Sequence, residues 1–318
     1  MGYASPRALG TIVALAFLGA GSPAMASDFI NILTGGTSGV YYPLGVAISN
    51  VFSKDIKGAR PSVQSTKASV ENLNLLQQGR GELAFTLGDT LIAAWEGDNE
   101  AGFPKKLDKL RGLTAIYPNF IQIVASKDSG IKTLQDLKGK RLSVGAPKSG
   151  TELNARAILD AAGLSYKDLG KVEYLPFAES VELIKNRQLD ATLQSAGLGV
   201  ASIRDLAASV PITVVPIPAD VVEKAGVPFV KKTIPTNTYE GQTEPVETAA
   251  VVNSLVTREG VSDELAYQMI KSIYDDLSVL VAAHAAAKAI KLENAAQGMP
   301  IPLHPGAERY LKEKGVIK

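Results

Sequence analysis

Cysteine is absent from this chain of 318 residues, so disulfide bonds and thiol chemistry are both excluded. Histidine occurs only as His284 and His304, and neither has a second histidine or cysteine at metal-ligand spacing. The Gly-x-Ser-x-Gly elbow of many hydrolases is also missing, because Ser38 stands in a different register between its glycines. The sequence therefore predicts a protein with no catalytic residues, no bound metal and no cofactor.

An excess of charge of one sign is lacking too. The chain has 33 Lys+Arg against 32 Asp+Glu, which gives a formal net charge of +1. A balanced surface of this kind does not concentrate nucleic acid or an anionic membrane around a protein. Neither of these is therefore an expected partner.

Long apolar runs are confined to the N-terminus. Residues 9–18 form a short apolar core, which follows Arg7 and precedes the small-x-small sequence Ala24-Met25-Ala26. This core is shorter than the ~20 residues that span a bilayer, and the order of its parts is that of a secretory signal peptide. We therefore predict that residues 1–26 are cleaved after Ala26 and that the mature protein is periplasmic.

Short apolar runs alternate with helical patterns along the rest of the chain, which predicts an α/β fold. We expect strands at residues 29–33, 60–65, 82–87, 110–117, 121–125, 140–144, 172–175, 191–194 and 212–217. We expect helices at residues 40–52, 69–78, 90–96, 151–162, 179–187, 198–209, 262–289 and 307–314.

The length of the mature chain predicts two lobes. The break at Pro118 and the proline-rich residues 211–218 are the expected crossovers between them. Residues 27–118 plus 215–318 would form lobe 1, and residues 119–214 would form lobe 2. Each lobe is expected to be a mostly parallel sheet flanked by helices.

Three turns rich in hydroxyl groups follow strands and precede helices. The first turn is residues 36–39, with Tyr41 and Tyr42 just after it; the second turn is residues 65–69; the third turn is residues 147–152. Parallel strands gather such turns at one edge of a sheet, where unpaired N–H groups at helix starts attract anions. Serine, threonine and glycine are also ordinary caps and turn residues, so each turn alone has a purely structural alternative.

Two of these turns carry a lysine, Lys67 and Lys148, whose charge would favour a carboxylate unless the side chain is simply solvated. The third turn has the glycine spacing of a P-loop, but Thr151 occupies the place of the essential lysine, so nucleotide hydrolysis is not expected. Asp89 could bind a ligand amine or cap the next helix, and capping is the favoured interpretation.

At these residues the chain resembles the TAXI class of substrate-binding proteins, the periplasmic receptors of TRAP (tripartite ATP-independent periplasmic) transporters. The matching segments, which cover the mature chain in order, are residues 36–45, 69–76, 130–152, 188–191 and 302–315. The resemblance implies a two-lobed periplasmic-binding-protein fold of type II that closes on a small ligand. It also implies an integral membrane TRAP permease, with fused subunits, as the partner of a monomeric receptor.

Family ligands are small carboxylates, such as glutamate or 2-oxoglutarate. The family motifs and the turns together assign ligand binding to Thr37, Ser38, Gly39, Tyr41, Tyr42, Ser65, Thr66, Lys67, Asp89, Tyr117, Lys148, Ser149, Gly150, Thr151 and Gly197. Glycine is more usual in the family near Lys67, Ala68 and Lys148, so the two lysines here favour a second carboxylate on the ligand.

The leading hypothesis is therefore a receptor that delivers a dicarboxylate, 2-oxo acid or acidic amino acid to a TRAP transporter. The alternative is a receptor of similar fold that serves an ABC transporter or a sensor kinase. An exported enzyme on this fold is a third hypothesis, which the missing nucleophile and base disfavour.

Overall fold

The computed structural model describes residues 1–3 and 28–318, so the predicted signal sequence and its cleavage site lie largely outside the described residues. Within those two ranges, no helix is both long enough and apolar enough to cross a bilayer.

The strands are β1 (Phe29–Leu33), β2 (Arg60–Gln64), β3 (Leu83–Leu87), β4 (Leu110–Ser126), β5 (Arg141–Ser143), β6 (Lys171–Glu173), β7 (Ala191–Ala196), β8 (Ile212–Val215), β9 (Val230–Ile234) and β10 (Val246–Arg258). The helices are α1 (Tyr41–Asp55), α2 (Ser69–Gln77), α3 (Gly88–Glu96), α4 (Gly150–Ala161), α5 (Phe177–Lys185), α6 (Ala201–Ser209), α7 (Ala219–Ala225), α8 (Asp263–Asp275), α9 (Leu277–Ala283) and α10 (Pro305–Glu313).

The alternating α/β order is confirmed, but the predicted break at Pro118 is wrong. Strand β4 runs through this proline for 17 residues. The partner strand β10 has a register shift between Val252 and Ser254, opposite Pro118. The residue between them, Asn253, donates from Nδ2 to Tyr117 O (2.8 Å) and to Asn119 Oδ1 (2.7 Å). This bulge makes the strand tolerate a residue that has no N–H group.

The sheet order is β2-β1-β3-β10-β4-β7-β5-β6, with β8 also on β4 and β9 also on β10. Strands β1, β2 and β3 pair in parallel, and so do β5, β6 and β7. The long strands β4 and β10 pair antiparallel to their neighbours and join the two parallel groups. The expectation of mostly parallel sheets therefore holds for the two outer groups and not for the strands that join them.

The C-terminal region differs from the single long helix predicted for residues 262–289. Helix α8 ends at Asp275, α9 ends at Ala283, and a short 3-10 helix follows at Ala285–Ala289. Strands β9 and β10 and helix α7 had no counterpart in the sequence prediction. Residue boundaries of the two lobes, at 119 and 215, stay a prediction.

The core consists of three clusters of buried apolar residues. The largest runs continuously from one parallel group to the other and includes Leu44 of α1 and Ile203 of α6. Helices α2 and α3 cover a second cluster, which includes Leu73, and helix α4 covers a third, which includes Ile158. The two parallel groups are therefore held together by a shared core as well as by the joining strands.

Candidate functional site

A cavity of about 350 Å³ lies at the carboxyl ends of the parallel strands, where all three turns meet. Of the residues predicted to bind ligand, its wall contains Thr37, Ser38, Gly39, Tyr41, Ser65, Thr66, Lys67, Tyr117, Ser149, Gly150 and Thr151. Outside the wall are Tyr42, Asp89, Lys148 and Gly197. Gly197 directly follows Ser195 and Ala196, which do line the cavity, so that prediction was one residue late.

Four helices begin at this cavity: α1, α2, α4 and α5, near Val40, Ser69, Gly150 and Phe177. The first N–H groups of a helix have no partner within it and carry partial positive charge. One side-chain cap is present among these four starts, in α4, where Ser149 Oγ accepts from Glu152 N at 3.2 Å. The cavity is therefore ringed by the positive ends of helices.

Gly150 makes the close approach of α4 possible. A Cβ atom at this position would lie 2.6 Å from Leu87 Cδ1 and 2.8 Å from both Ser69 Oγ and Thr90 Oγ1. Any larger side chain would push α4 away from α2 and α3. The predicted importance of this glycine therefore has a steric reason that the sequence did not reveal.

The hydroxyl groups of Ser65 and Thr66, in the second turn, are already used within the fold. Ser65 Oγ donates to Gly35 O at 2.9 Å, and Thr66 Oγ1 lies 3.0 Å from Thr34 O and 2.6 Å from Asn72 Oδ1. These bonds tie the end of β2 to the end of β1. Ser65 and Thr66 line the cavity, but their hydroxyl protons are directed into the protein.

Asn72 is the fully buried residue at the centre of this arrangement. Its Nδ2 donates to Thr34 O at 2.7 Å and to Phe85 O at 2.9 Å. The side chain therefore fixes α2 to the ends of β1 and β3. Sequence analysis did not single out this asparagine, because its partners are distant in the chain.

Lys148 contributes its backbone rather than its ammonium group. The side chain is exposed, and the residue has a positive φ of 60°, which is uncommon without glycine. Its carbonyl accepts a hydrogen bond from Glu71 N in the first turn of α2, at 3.2 Å. The expectation that its charge faces the ligand is not supported. Lys67 does line the cavity, at an exposed position.

The two tyrosines of the wall have different roles. Tyr41 donates its hydroxyl proton to Asn253 Oδ1, and its ring stacks on Phe85 with centroids 4.9 Å apart. Tyr117 is 1% exposed, and its hydroxyl has no partner among the described residues. Burial raises the pKa of Tyr117 well above its ordinary value, so the phenol stays a neutral donor. Of these two tyrosines, Tyr117 is thus the one that offers a buried, unused hydroxyl group.

Asp89 faces a residue of α4 rather than the cavity. Asn154 Nδ2 donates to Asp89 Oδ2 at 2.6 Å, while Asp89 Oδ1 is buried without a partner among the described residues. Burial raises the pKa of Asp89 to about 7. Ser195 Oγ donates to Asn154 Oδ1 at 2.5 Å, which continues the chain of hydrogen bonds. Leu87 is the N-cap of α3, so the expected capping by Asp89 is wrong.

The start of α5 is the part of the site that sequence analysis missed. Pro176, Phe177, Ala178 and Glu179 all line the cavity. The sequence prediction began this helix two residues late, at position 179. A proline just before a helical pattern, with an acidic residue in the first turn, was the available indication. Among the described residues, no group of three or more His, Asp and Glu side chains is placed to hold a metal ion.

Solved structures share the architecture at low sequence identity. A protein described as a periplasmic transporter is 13% identical, with 92% of this chain and 95% of that chain covered and a TM-score of 0.55. A proposed L-cystine ABC transporter protein from Listeria monocytogenes is 13% identical, covering 83% and 98%, with a TM-score of 0.52. A protein of Bordetella bronchiseptica RB50 is 18% identical, covering 92% and 90%, with a TM-score of 0.51.

These similarities establish the two-lobed fold of periplasmic solute-binding proteins, which confirms the predicted fold class. Sequence identities this low do not show that this chain binds the same ligand as any of these proteins. The sequence profile of the NMT1-like family matches residues 32–315, nearly the whole described chain. The protein therefore belongs to the NMT1-like family.

Proposed function

We propose that this protein is an exported receptor, without enzymatic activity, that captures a small carboxylate between two lobes and delivers it to a membrane transporter. The observation that carries the proposal is the convergence of four helix starts on one cavity. Unpaired N–H groups at helix starts bind anions through hydrogen bonds and the helix dipole. Tetrahedral anions and carboxylates share this preference, and the resemblance to receptors of carboxylates favours the latter.

The helix starts come from both proposed lobes, residues 27–118 plus 215–318 and residues 119–214. Helices α1 and α2 belong to the first lobe, and α4 and α5 belong to the second. The hydrogen bonds that cross between the lobes beside the cavity include Glu71 N to Lys148 O, Asn154 Nδ2 to Asp89 Oδ2, and Arg156 Nη1 to Glu100 O at 3.0 Å. A ligand that contacts both lobes would favour this closed arrangement over an open one.

Two kinds of membrane partner fit this proposal. The motifs of the first and third turns resemble receptors of TRAP transporters, which use an ion gradient. The structural neighbours favour the alternative, because one of them is described as an ABC transporter protein. Export by a signal peptide cleaved after Ala26 is part of the same proposal for either partner.

The ligand class can be tested with two serine caps that differ in location. Ser149 caps α4 at the cavity, whereas Ser262 caps α8 away from it by accepting from Leu265 N at 3.2 Å. Replacing either by alanine should cost roughly 1 kcal/mol of stability. Only Ser149→Ala should also weaken binding of carboxylates in calorimetric titrations of ligand-free, refolded protein. Equal affinities in both variants, or no carboxylate binding at all, would contradict the proposal.

The partner can be tested with right-side-out membrane vesicles of the source cell. Purified receptor and radiolabelled ligand are added, and uptake is followed after an ionophore or after depletion of internal ATP. Loss of uptake with the ionophore alone indicates a TRAP transporter, and loss with ATP depletion alone indicates an ABC transporter. Recovery of chemically altered ligand from purified receptor would support the enzyme hypothesis instead.

A further inference from the structure

Charged side chains are scarce in the cavity wall. Among the described residues that line it, only Lys67 and Glu179 are ionisable at neutral pH, and they have opposite signs. Both are exposed, so they lie at the rim. The enclosed part of the cavity therefore has no cationic side chain that could neutralise an anionic ligand.

The four helix starts at the cavity differ in how many first-turn N–H groups are already bonded within the protein. In α2, Glu71 N is bonded to Lys148 O, and Ala68 N is bonded to Thr66 Oγ1 at 3.0 Å. In α1, the third helical position is Pro43, which has no N–H group. In α4, Glu152 N is bonded to Ser149 Oγ, whereas α5, which begins at Phe177, has no first-turn N–H group bonded to another described residue. The start of α5 is thus the most open of the four helix starts for an anionic group.

The remaining wall is largely apolar. Val40, Leu87 and Ala196 line it, together with the rings of Tyr41 and Phe177. The Phe177 ring lies over the first turn, since a Cβ at Gly39 would be 3.9 Å from two of its carbon atoms. An apolar ligand body would be covered on both sides. An ionised second carboxylate here would lose its water without gaining a cation, which is strongly unfavourable.

The Tyr117 hydroxyl adds a requirement of its own. It is a buried donor without a partner among the described residues, and buried polar groups of this kind need an acceptor. Asn119, which also lines the wall, has its amide engaged with Ser195 O at 2.9 Å and with Asn253 Nδ2 at 2.7 Å. The acceptor for Tyr117 is therefore left to the ligand.

We propose that the cavity takes a singly charged carboxylic acid with an apolar body and one neutral oxygen acceptor that reaches Tyr117. This inference rests on the proposed function and narrows its ligand class. It replaces the dicarboxylate that the two lysines suggested. The acid group lies at the start of α5, the apolar body lies between Tyr41 and Phe177, and the carbonyl or hydroxyl oxygen accepts from Tyr117.

The test uses six-carbon acids at pH 7.5, titrated by calorimetry into refolded, ligand-free protein. The panel contains hexanoate, its 2-oxo, 4-oxo and 5-oxo derivatives, and hexanedioate. We expect hexanoate to bind at least roughly tenfold more tightly than hexanedioate, because the second carboxylate is unpaired. We expect at least one oxo derivative to bind roughly tenfold more tightly than hexanoate, since it satisfies Tyr117.

The variant Tyr117→Phe should abolish the advantage of that oxo acid, so that it binds no more tightly than hexanoate. Tyr42→Phe is the matched control, because Tyr42 lies outside the wall, and it should keep the advantage. Tighter binding of hexanedioate, or an oxo advantage that survives in Tyr117→Phe, would overturn this inference while leaving the proposed function in place. Absence of binding by every acid in the panel would overturn both.

Discussion

The second turn (residues 65–69) and the third turn (residues 147–152) have the same ingredients in sequence, but the structure uses them differently. Each has a hydroxyl residue and a lysine after a strand and before a helix. In the second turn, Ser65 and Thr66 bond to other turns and to Asn72. In the third turn, Ser149 only accepts a bond from Glu152 N, so its hydroxyl proton remains available to the cavity.

The difference shows that a turn's composition predicts where it lies but not where its hydroxyl groups point. Asn72, a buried side chain in the following helix, directs the second turn inward. The third turn leads into α4 at Gly150, and this glycine lets the turn approach the starts of α2 and α3. One turn is thus mainly structural, and the other is the better candidate for ligand contact.

The first test of this comparison is a substitution of Asn72, for which we expect the largest loss of stability. The change Asn72→Ala leaves Thr34 O, Phe85 O and the Thr66 hydroxyl without their buried partner, and should lower the unfolding free energy by roughly 3 kcal/mol. Asn74→Ala, which loses a bond within the same helix to Val70 O, is the matched control and should cost less than about 1 kcal/mol. Chemical denaturation measures both, and equal losses would contradict a special role for Asn72.

The next effect concerns the third turn. Gly150→Ala places a methyl group against Leu87, Ser69 and Thr90, and should weaken ligand binding roughly tenfold to a hundredfold by forcing α4 away. Gly36→Ala adds the same methyl group where nothing lies within 4 Å, and should not destabilise the protein. Titration calorimetry and thermal unfolding compare the two. Unchanged affinity in Gly150→Ala would show that α4 need not approach α2 and α3.

A third prediction concerns the pH dependence of stability that arises from Asp89, the residue that accepts a hydrogen bond from α4. Because the folded pKa of Asp89 is about 7, above its ordinary 3.8, the native state binds more protons than the unfolded state between these values. Stability from Asp89 is therefore present below about pH 4 and is lost as pH rises through about 7. Relative to Asp89→Asn, the wild type should lose about 1 kcal/mol of stability between pH 5 and pH 6.

Urea denaturation of both proteins at pH 5, 6, 7 and 8 measures this loss, with Asp128→Asn as the control at a carboxylate whose side chain is 85% exposed. A stability difference between wild type and Asp89→Asn that stays constant across these pH values would show that burial does not raise the pKa of Asp89.

The smallest effect is expected at Lys148. Glycine adopts its positive φ without strain, so Lys148→Gly should stabilise the protein by up to about 1 kcal/mol and keep the carbonyl in place. Ligand affinity should stay the same, because the ammonium group lies outside the cavity wall. Thermal unfolding and titration measure the two quantities. A marked loss of affinity for a carboxylate would show that the Lys148 side chain contributes to ligand binding.

Local patterns were enough to predict most of the elements that carry the site. The apolar run of β1, the hydroxyl-rich turns and the helical periods of α1, α2 and α4 all depend on neighbours in sequence. Most of the predicted ligand residues therefore line one cavity. Their roles in binding stay predictions until a ligand is measured.

The incorrect predictions arise from contacts between parts of the chain that are distant in sequence. Pro118 stays within β4 where the pairing with β10 shifts in register, and Asn253, far along the sequence, bonds to the residues on both sides of this proline. The hydroxyl group of Tyr41 is not free, because it donates a hydrogen bond to the same asparagine. Lys148 was assigned by its charge, whereas its carbonyl makes the observed contact with Glu71. A sequence pattern does not show which atom of a residue will be used.

That contact makes the start of α2 dependent on a residue 77 positions later in the chain. The Glu71 amide has its acceptor only while the third turn lies against α2, at an N···O distance of 3.2 Å. In an open arrangement of the proposed lobes, water would take the place of the Lys148 carbonyl, and the amide proton would become free to exchange with solvent. The deuterium uptake rate of this single amide would therefore record how much of the time the cleft is shut.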